Sequence, residues 1–138
     1  MRDVFVPDDE RFELARDFAT GTKEVLQHSR IFVAWIATGM AAGACEAAFK
    51  YCLAREQFGK PIAARQLIQA QLVKCVALVE QSILMIMQIS RMYDQGQMTI
   101  GRIAMTKAAC TANCREVTAM ARNVMGGNGI LLQNHAIK

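Results

Sequence analysis

The chain has 138 residues, enough for one domain with a modest hydrophobic core. Apolar residues make up 53% of it and prolines number only two, a composition that favours helix over sheet. The net charge of +4 is scattered rather than clustered, which argues against nucleic acid and would suit a phosphate-rich ligand.

The chain opens with Val4–Pro7, which reads as a short strand stopped by its proline. A long helical pattern follows from about Thr22 to Leu53, and Thr20 or Thr22 can cap its start. Helices this long and this apolar leave faces that one small chain does not cover. We therefore expect an oligomer or further partner segments.

Small residues recur every four positions along this first helix, at Gly39, Gly43 and Ala47. Their spacing places them on one face and predicts a stripe where another helix can approach closely. The alternative is that the two glycines are tolerated inside the helix, at about 1 kcal/mol each.

Helical periodicity breaks at Arg55–Pro61, where Gly59 and Pro61 can end one helix and start the next. We therefore predict a helix–helix corner that carries a cation, an amide and an aromatic ring. The guanidinium of Arg55 is a fork of donors suited to phosphate, and Phe58 offers a flat face beside it. The alternative is a solvated turn whose phenylalanine packs in the core.

The second helix is predicted over Pro61–Tyr93, and the third over 99–125 with Thr99 as its cap. The glycine pair at 126–127 interrupts the third, and residues 131–138 read as the start of a fourth. The predicted fold class is therefore all-α, of the up-and-down four-helix-bundle type. Its last helix is incomplete, and a short strand remnant precedes the bundle.

The five cysteines are an odd number in apolar helical context, which indicates buried free thiols of a reducing compartment. Only His28 and His135 could join them as ligands, so we assign no metal site. No stretch is expected to span a membrane, because Glu80 and Gln81 interrupt the most apolar candidate, 76–87. No signal or transit peptide is visible either.

Two stretches of the chain carry a resemblance to a known family. The first is Tyr51-x-x-x-Arg55-x-Gln57-Phe58-Gly59-x-Pro61, followed after four residues by Gln66; the second is Gly126-Gly127-Asn128-Gly129-Ile130. In this order and at this separation they resemble the signature of the acyl-CoA dehydrogenase and oxidase family, in its C-terminal helical domain. The surrounding sequence is similar to the branch that holds glutaryl-CoA dehydrogenase and the short-chain peroxisomal acyl-CoA oxidases.

The resemblance spans nearly the whole chain and implies a domain organisation. Residues 1–21 would be the remnant of a preceding β-domain and its linker. Residues 22–138 would be an incomplete acyl-CoA dehydrogenase-like C-terminal helical domain. The family further implies a tetramer-like homo-oligomer, or association with full-length subunits. It implies the mitochondrial matrix as the compartment, with the peroxisome or a bacterial cytoplasm as alternatives.

The resemblance also implies FAD as the cofactor. In the family, the arginine and phenylalanine of the corner contact FAD, usually that of a neighbouring subunit, and the later glutamine and glycine turn line the same site. The cofactor-binding candidates here are Arg55, Phe58, Gln66, Asn123, Val124, Met125, Gly126 and Gly127. For the glycine pair, the alternative is an ordinary helix end and turn.

The segment Lys23–Arg30 resembles the family's acyl-CoA contact region. Arg30 is the first candidate for touching the coenzyme A moiety, with Ser29 and His28 beside it. Taken without the family, Arg30 is a surface arginine. His28 is then a solvated histidine, since no triad pattern surrounds it.

The activity that the resemblance implies is α,β-dehydrogenation of an acyl-CoA thioester, in which a carboxylate takes the α-proton and flavin takes the β-hydride. The family's base is a glutamate in a Tyr-Glu-Gly-Thr stretch, which this sequence does not contain. We therefore assign no catalytic residue and expect the chain alone to be inactive. The alternatives are a short-chain acyl-CoA oxidase, a non-catalytic truncated module that associates with full-length subunits, and a purely structural bundle.

Overall fold

The computed structural model describes residues 2–137. Three long helices account for most of them: α1 spans Phe18–Ala54, α2 spans Gln66–Asp94 and α3 spans Ile100–Met125. Two short strands, β1 at Glu56–Gln57 and β2 at Lys60–Pro61, pair antiparallel between α1 and α2. The predicted all-α class is confirmed.

Side-chain caps fix where α1 and α3 begin. Asp17 caps α1, because its carboxylate accepts from the Thr20 backbone N–H at 2.7 Å while the Thr20 hydroxyl accepts from the Asp17 N–H at 3.2 Å. The predicted start at Thr22 was therefore four residues late, and Thr20 is a member of the capping box rather than the cap. Thr99 caps α3 as predicted, accepting from the Arg102 N–H at 3.3 Å.

Three predicted elements differ from the structure. Val4–Pro7 forms no strand, since the described chain places no second strand beside it to take its hydrogen bonds. The second helix begins at Gln66 rather than Pro61, because β2 and a 3-10 turn at Ile62–Ala64 come first. Where a fourth helix was expected, residues 131–137 contain a single 3-10 turn, at His135–Ile137.

Small side chains allow α1 to pack closely against its neighbours. The buried face of α1 carries alanines three or four residues apart: Ala34, Ala37, Ala41, Ala44 and Ala48. The predicted stripe at Gly39 and Gly43 lies on the opposite face, where an added Cβ would meet nothing within 4 Å. Within the described chain, the close approach is therefore made by alanines and not by the glycines.

The thiols are buried and unpaired, as predicted: Cys45, Cys52, Cys75, Cys110 and Cys114. The expectation that no stretch could span a membrane was wrong on length and composition, because α1 and α2 are both long and apolar enough. The pair Glu80 and Gln81 does not outweigh the apolar residues of α2 around it. Only 44% and 33% of the two apolar windows is buried within this chain, although core helices of soluble proteins pass the same test.

Candidate functional site

The two sequence motifs meet at one cavity of about 310 Å³, which we call the motif cavity. One wall comes from the end of α1 and the hairpin that follows it, and the other comes from the end of α3 and its glycine turn. Its lining residues are Tyr51, Arg55, Gln57, Ile62, Asn123, Val124, Met125, Gly126, Gly127 and Asn128.

The chain reverses between the two motif walls through a tight hairpin and not through the predicted helix–helix corner. Gln57 pairs with Lys60, so Phe58 and Gly59 form a two-residue loop, with φ of +53° and +75°. Two positive φ values in such a loop match the twist of the flanking strands. Phe58 is 90% exposed, so the alternative in which its ring packs in the core is wrong.

Arg65 holds this hairpin from the start of α2. Its guanidinium nitrogen donates to the carbonyl oxygens of Gln57 and Phe58, each at 3.4 Å. The same group lies 5.8 Å from the centre of the Phe58 ring, within the range of a cation–π contact. Arg65 was not predicted from the sequence, because its contact with Phe58 depends on a hairpin for which the sequence carries no turn signal.

Glycines shape the turn that follows α3. Gly126 ends the helix with φ of +56°, a conformation that favours glycine, so the predicted helix end is confirmed. Gly129 is buried beneath the last turns of α3, where a Cβ would lie 2.3 Å from the Arg122 carbonyl oxygen. Gly127 has open space around it, so its backbone is accessible from the motif cavity.

A hydrogen bond joins the two motifs across the cavity wall. The Asn128 side-chain amide donates to the Tyr51 hydroxyl oxygen at 2.6 Å, although the two residues are 77 positions apart. The Asn134 amide in turn donates to the Asn128 carbonyl oxygen, also at 2.6 Å. Tyr51 and Asn128 both belong to the sequence motifs, but the motifs alone give neither residue a role.

The structure brings together six of the eight predicted cofactor residues at the motif cavity: Arg55, Asn123, Val124, Met125, Gly126 and Gly127. Phe58 and Gln66 lie outside its lining, at the hairpin tip and at the exposed first turn of α2. The Val124 and Met125 side chains are buried in the core. Their direct contacts with a ligand would therefore be made mainly by backbone atoms.

The motif cavity is suited to an anion. Arg55 is exposed, and the ion pairs found among residues 2–137 are Glu46–Lys50 and Lys74–Glu116, so no carboxylate of the described chain neutralises it. Its backbone is held on both sides, by bonds to the Tyr51 carbonyl and from the Ile62 N–H, each 2.8 Å. A fixed backbone with a free guanidinium suits a phosphate ligand.

The predicted acyl-CoA region lies far from the motif cavity. Lys23 and Arg30 line a second cavity of about 430 Å³ near the start of α1, together with apolar residues of that helix and Ile100. Ser29 and His28 do not line it, and the His28 ring is hydrogen-bonded to the Tyr93 hydroxyl. Since Arg30 and Arg55 are 25 residues apart, the two sites are separated by about 38 Å along the helix.

Residues 2–137 contain no group of three or more His, Cys, Asp or Glu side chains arranged to hold a metal ion. The side chains available at the motif cavity are the Arg55 guanidinium, the Tyr51 hydroxyl and the amides of Gln57, Asn123 and Asn128. These groups can bind and orient an anionic ligand.

A family profile and curated relatives both match most of the chain. A family profile described as "Acyl-CoA dehydrogenase, C-terminal domain" matches residues 19–138. The chain is 31% identical over 132 residues to the caffeyl-CoA reductase-Etf complex subunit CarC of Acetobacterium woodii, covering 95% of this chain and 35% of that protein. It is 34% identical over 114 residues to cyclohex-1-ene-1-carbonyl-CoA dehydrogenase of Geobacter metallireducens, covering 80% and 30%.

Solved structures share the fold. Glutaryl-CoA dehydrogenase from Mycobacterium smegmatis matches with a TM-score of 0.81 and 26% identity, over 83% of this chain and 30% of that chain. A glutaryl-CoA dehydrogenase from Mycobacterium smegmatis has also been solved in complex with FADH2, and PigA, which shares the fold, has been solved with FAD. The chain spans about a third of the length of the curated relatives that it matches.

Proposed function

The chain belongs to the acyl-CoA dehydrogenase family, as its C-terminal helical domain, and we propose that it forms part of an FAD site in an enzyme that oxidises acyl-CoA thioesters. The observation that carries the proposal is the convergence of two distant motifs on one cavity with an unneutralised arginine. FAD, when bound, would accept the hydride from the substrate's β-carbon.

The residues present fit the phosphate and adenine end of such a cofactor. Arg55 would pair with a phosphate oxygen, and the Gly127 backbone, which has open space around it, would lie close to the same ligand. Phe58 offers an exposed ring, beside Arg65, on which a planar base could stack. Gln66, exposed at the first turn of α2, would make a further contact with the cofactor.

We propose that the site is completed by a neighbouring subunit. The motif cavity and the Lys23–Arg30 cavity lie about 38 Å apart along one helix, so the two contact regions of this chain stand at opposite ends of α1. A flavin held at the motif cavity of one subunit would reach acyl-CoA bound to another. Lys23 and Arg30 would then contact phosphates of coenzyme A.

The specific reaction follows the family in this proposal. Dehydrogenation of a glutaryl-CoA-like thioester is the first candidate, and oxidation by a short-chain acyl-CoA oxidase is the second. A non-catalytic role, as a helical module on full-length subunits, is supported by the exposed apolar residues on α1 and α2. All three share the flavin contact and the subunit contact.

The flavin contact can be tested by co-expressing the tagged chain with a full-length acyl-CoA dehydrogenase relative. The complex is captured through the chain, and its flavin is quantified by absorbance. Because only the chain is varied, Arg55→Gln should weaken flavin retention by about ten- to a hundredfold, the loss of one charge-assisted contact. Arg91→Gln, which changes an exposed arginine at the far end of α2, should retain flavin like the unmodified chain.

Two results would contradict the proposal. One is equal flavin content in complexes carrying Arg55→Gln and Arg91→Gln. The other is a chain that captures no partner subunit and, when titrated alone with FAD, leaves flavin fluorescence unchanged.

A further inference from the structure

The glycine turn Gly126–Gly129 needs a restraint from outside itself. Glycine loses more conformational freedom on folding than any other residue, and this turn contains three glycines with Gly126 at positive φ. The turn must nevertheless hold its backbone in one arrangement to line the motif cavity together with Arg55.

Asn128 provides the side-chain restraint that the structure shows. Within residues 2–137, the side-chain hydrogen bonds that reach the turn are Asn128 to the Tyr51 hydroxyl and Asn134 to the Asn128 carbonyl, both 2.6 Å. The Leu131 N–H also donates to that carbonyl, at 3.3 Å. Asn128 is thus held through its side chain on one side and its backbone on the other.

Tyr51 couples this restraint to the arginine of the first motif. It lies one helical turn before Arg55, and its backbone carbonyl accepts the Arg55 N–H at 2.8 Å. Tyr51 and Asn128 are both half-buried in the cavity wall, where a hydrogen bond is partly shielded from competing water. One tyrosine therefore sets the position of Arg55 through its backbone and of the turn through its hydroxyl.

We infer that Tyr51 and Asn128 are positioning residues whose hydrogen bond fixes the glycine turn relative to Arg55, so that both bind the same anionic ligand. The identity of that ligand as FAD rests on the proposed function. The positioning itself concerns residues of this chain and can be measured without the flavin.

The test removes the hydroxyl and keeps the ring, with Tyr51→Phe. Amide hydrogen exchange of residues 126–130 should become about tenfold faster, as expected for the loss of one hydrogen bond. Asn128→Ala should have a similar effect, and the double variant should add little, since the pair acts through one bond. The matched control is Tyr93→Phe, which removes the chain's other tyrosine hydroxyl, bonded to His28 at the opposite end of the bundle.

Flavin retention provides the second readout, in the captured complex described above. Tyr51→Phe should weaken it by about tenfold, whereas Tyr93→Phe should leave it unchanged. Unchanged exchange in Tyr51→Phe would overturn the inference, and so would faster exchange without flavin loss while Arg55→Gln does lose flavin. If exchange becomes faster and no variant, Arg55→Gln included, alters flavin, the proposed function fails and the positioning of the turn stands.

Discussion

Burial of Cys75 makes the free energy of unfolding depend on pH. Cys75 is 1% exposed in a core cluster between the helices, and burial raises the pKa of its thiol to about 11, with smaller contributions from Cys45, Cys52 and Glu116. Burial also raises the pKa of Cys45, Cys52 and Cys114 above its ordinary value. These are inert packing thiols in the native state.

The sign of the resulting pH dependence follows from linkage. Well below pH 9 the Cys75 thiol is protonated in both the folded and the unfolded chain and contributes no pH dependence to stability. Between pH 9 and about 11 the unfolded chain releases the proton while the folded chain retains it, so the free energy of unfolding falls as pH rises.

We predict that Cys75→Ala flattens this alkaline decline. At pH 7 the substitution should cost about 1 kcal/mol through lost packing, and the difference from the unmodified chain should narrow towards pH 11. Urea unfolding at a series of pH values measures it. Val79→Ala, in the same cluster, removes volume without a titrating group, so its penalty should stay constant. A constant penalty for Cys75→Ala as well would contradict the prediction.

At the scale of elements, the hairpin between α1 and α2 places an aromatic residue in a conformation that aromatic residues rarely adopt. Phe58 has φ of +53° and a ring that is 90% exposed, so the fold gains little from its packing. A strained, exposed residue of this kind is typical of functional positions. Asn followed by Gly is the sequence that such a two-residue loop prefers.

We therefore predict that Phe58→Asn separates stability from function. The free energy of unfolding should rise by up to about 1 kcal/mol, because strain at the turn is relieved, while flavin retention in the captured complex should fall. Gly59→Ala, at φ of +75°, is the opposing control and should lower stability. A Phe58→Asn chain that is less stable would contradict the strain at this turn, and one that retains flavin fully would contradict a contact between the ring and flavin.

The elements also show which parts of the fold local sequence could predict. The start of α3 at Thr99 and its end at Gly126 were predicted correctly, because each depends on a residue with a strong local preference. The start of α2 was missed because Pro61, which suits the first turn of a helix, here occupies β2. A Phe-Gly loop carries no hairpin signal, and Asp17 was overlooked in favour of the threonines that follow it.

The candidate site was only partly predictable for a similar reason. Arg55 and the glycine pair were identified through the motif resemblance, and the structure places them at one cavity. The bond between Tyr51 and Asn128 joins positions 77 residues apart, and the Arg65 contact depends on the hairpin. Tertiary contacts of this kind have no signature in local spacing.

At the scale of the whole molecule, one face of α1 is apolar and uncovered. Phe32, Ile36 and Met40 lie one helical turn apart and are 66%, 61% and 53% exposed. Gly43 and Ala47 continue the same face into a cavity of about 430 Å³. A continuous apolar row beside small residues is typical of a helix–helix contact surface, and no element of the described chain covers it.

We predict that the chain associates through this face. Sedimentation velocity should show a species larger than the 15.3 kDa monomer, and the double substitution Phe32→Gln with Ile36→Gln should weaken association by roughly a hundredfold or more. Both side chains point away from the core, so the helical circular dichroism signal should be preserved. Leu84→Gln, an equally exposed residue on α2, is the matched control.

The outcome also bears on the proposed flavin site, because that proposal requires a neighbouring subunit to complete the site. If association through α1 is what completes the site, the α1 double variant should lose both partner capture and flavin, whereas Leu84→Gln should lose neither. A double variant that captures the partner normally would contradict an interface on this face of α1. Loss of association in Leu84→Gln alone would instead locate the interface on α2, whose outer residues are as exposed.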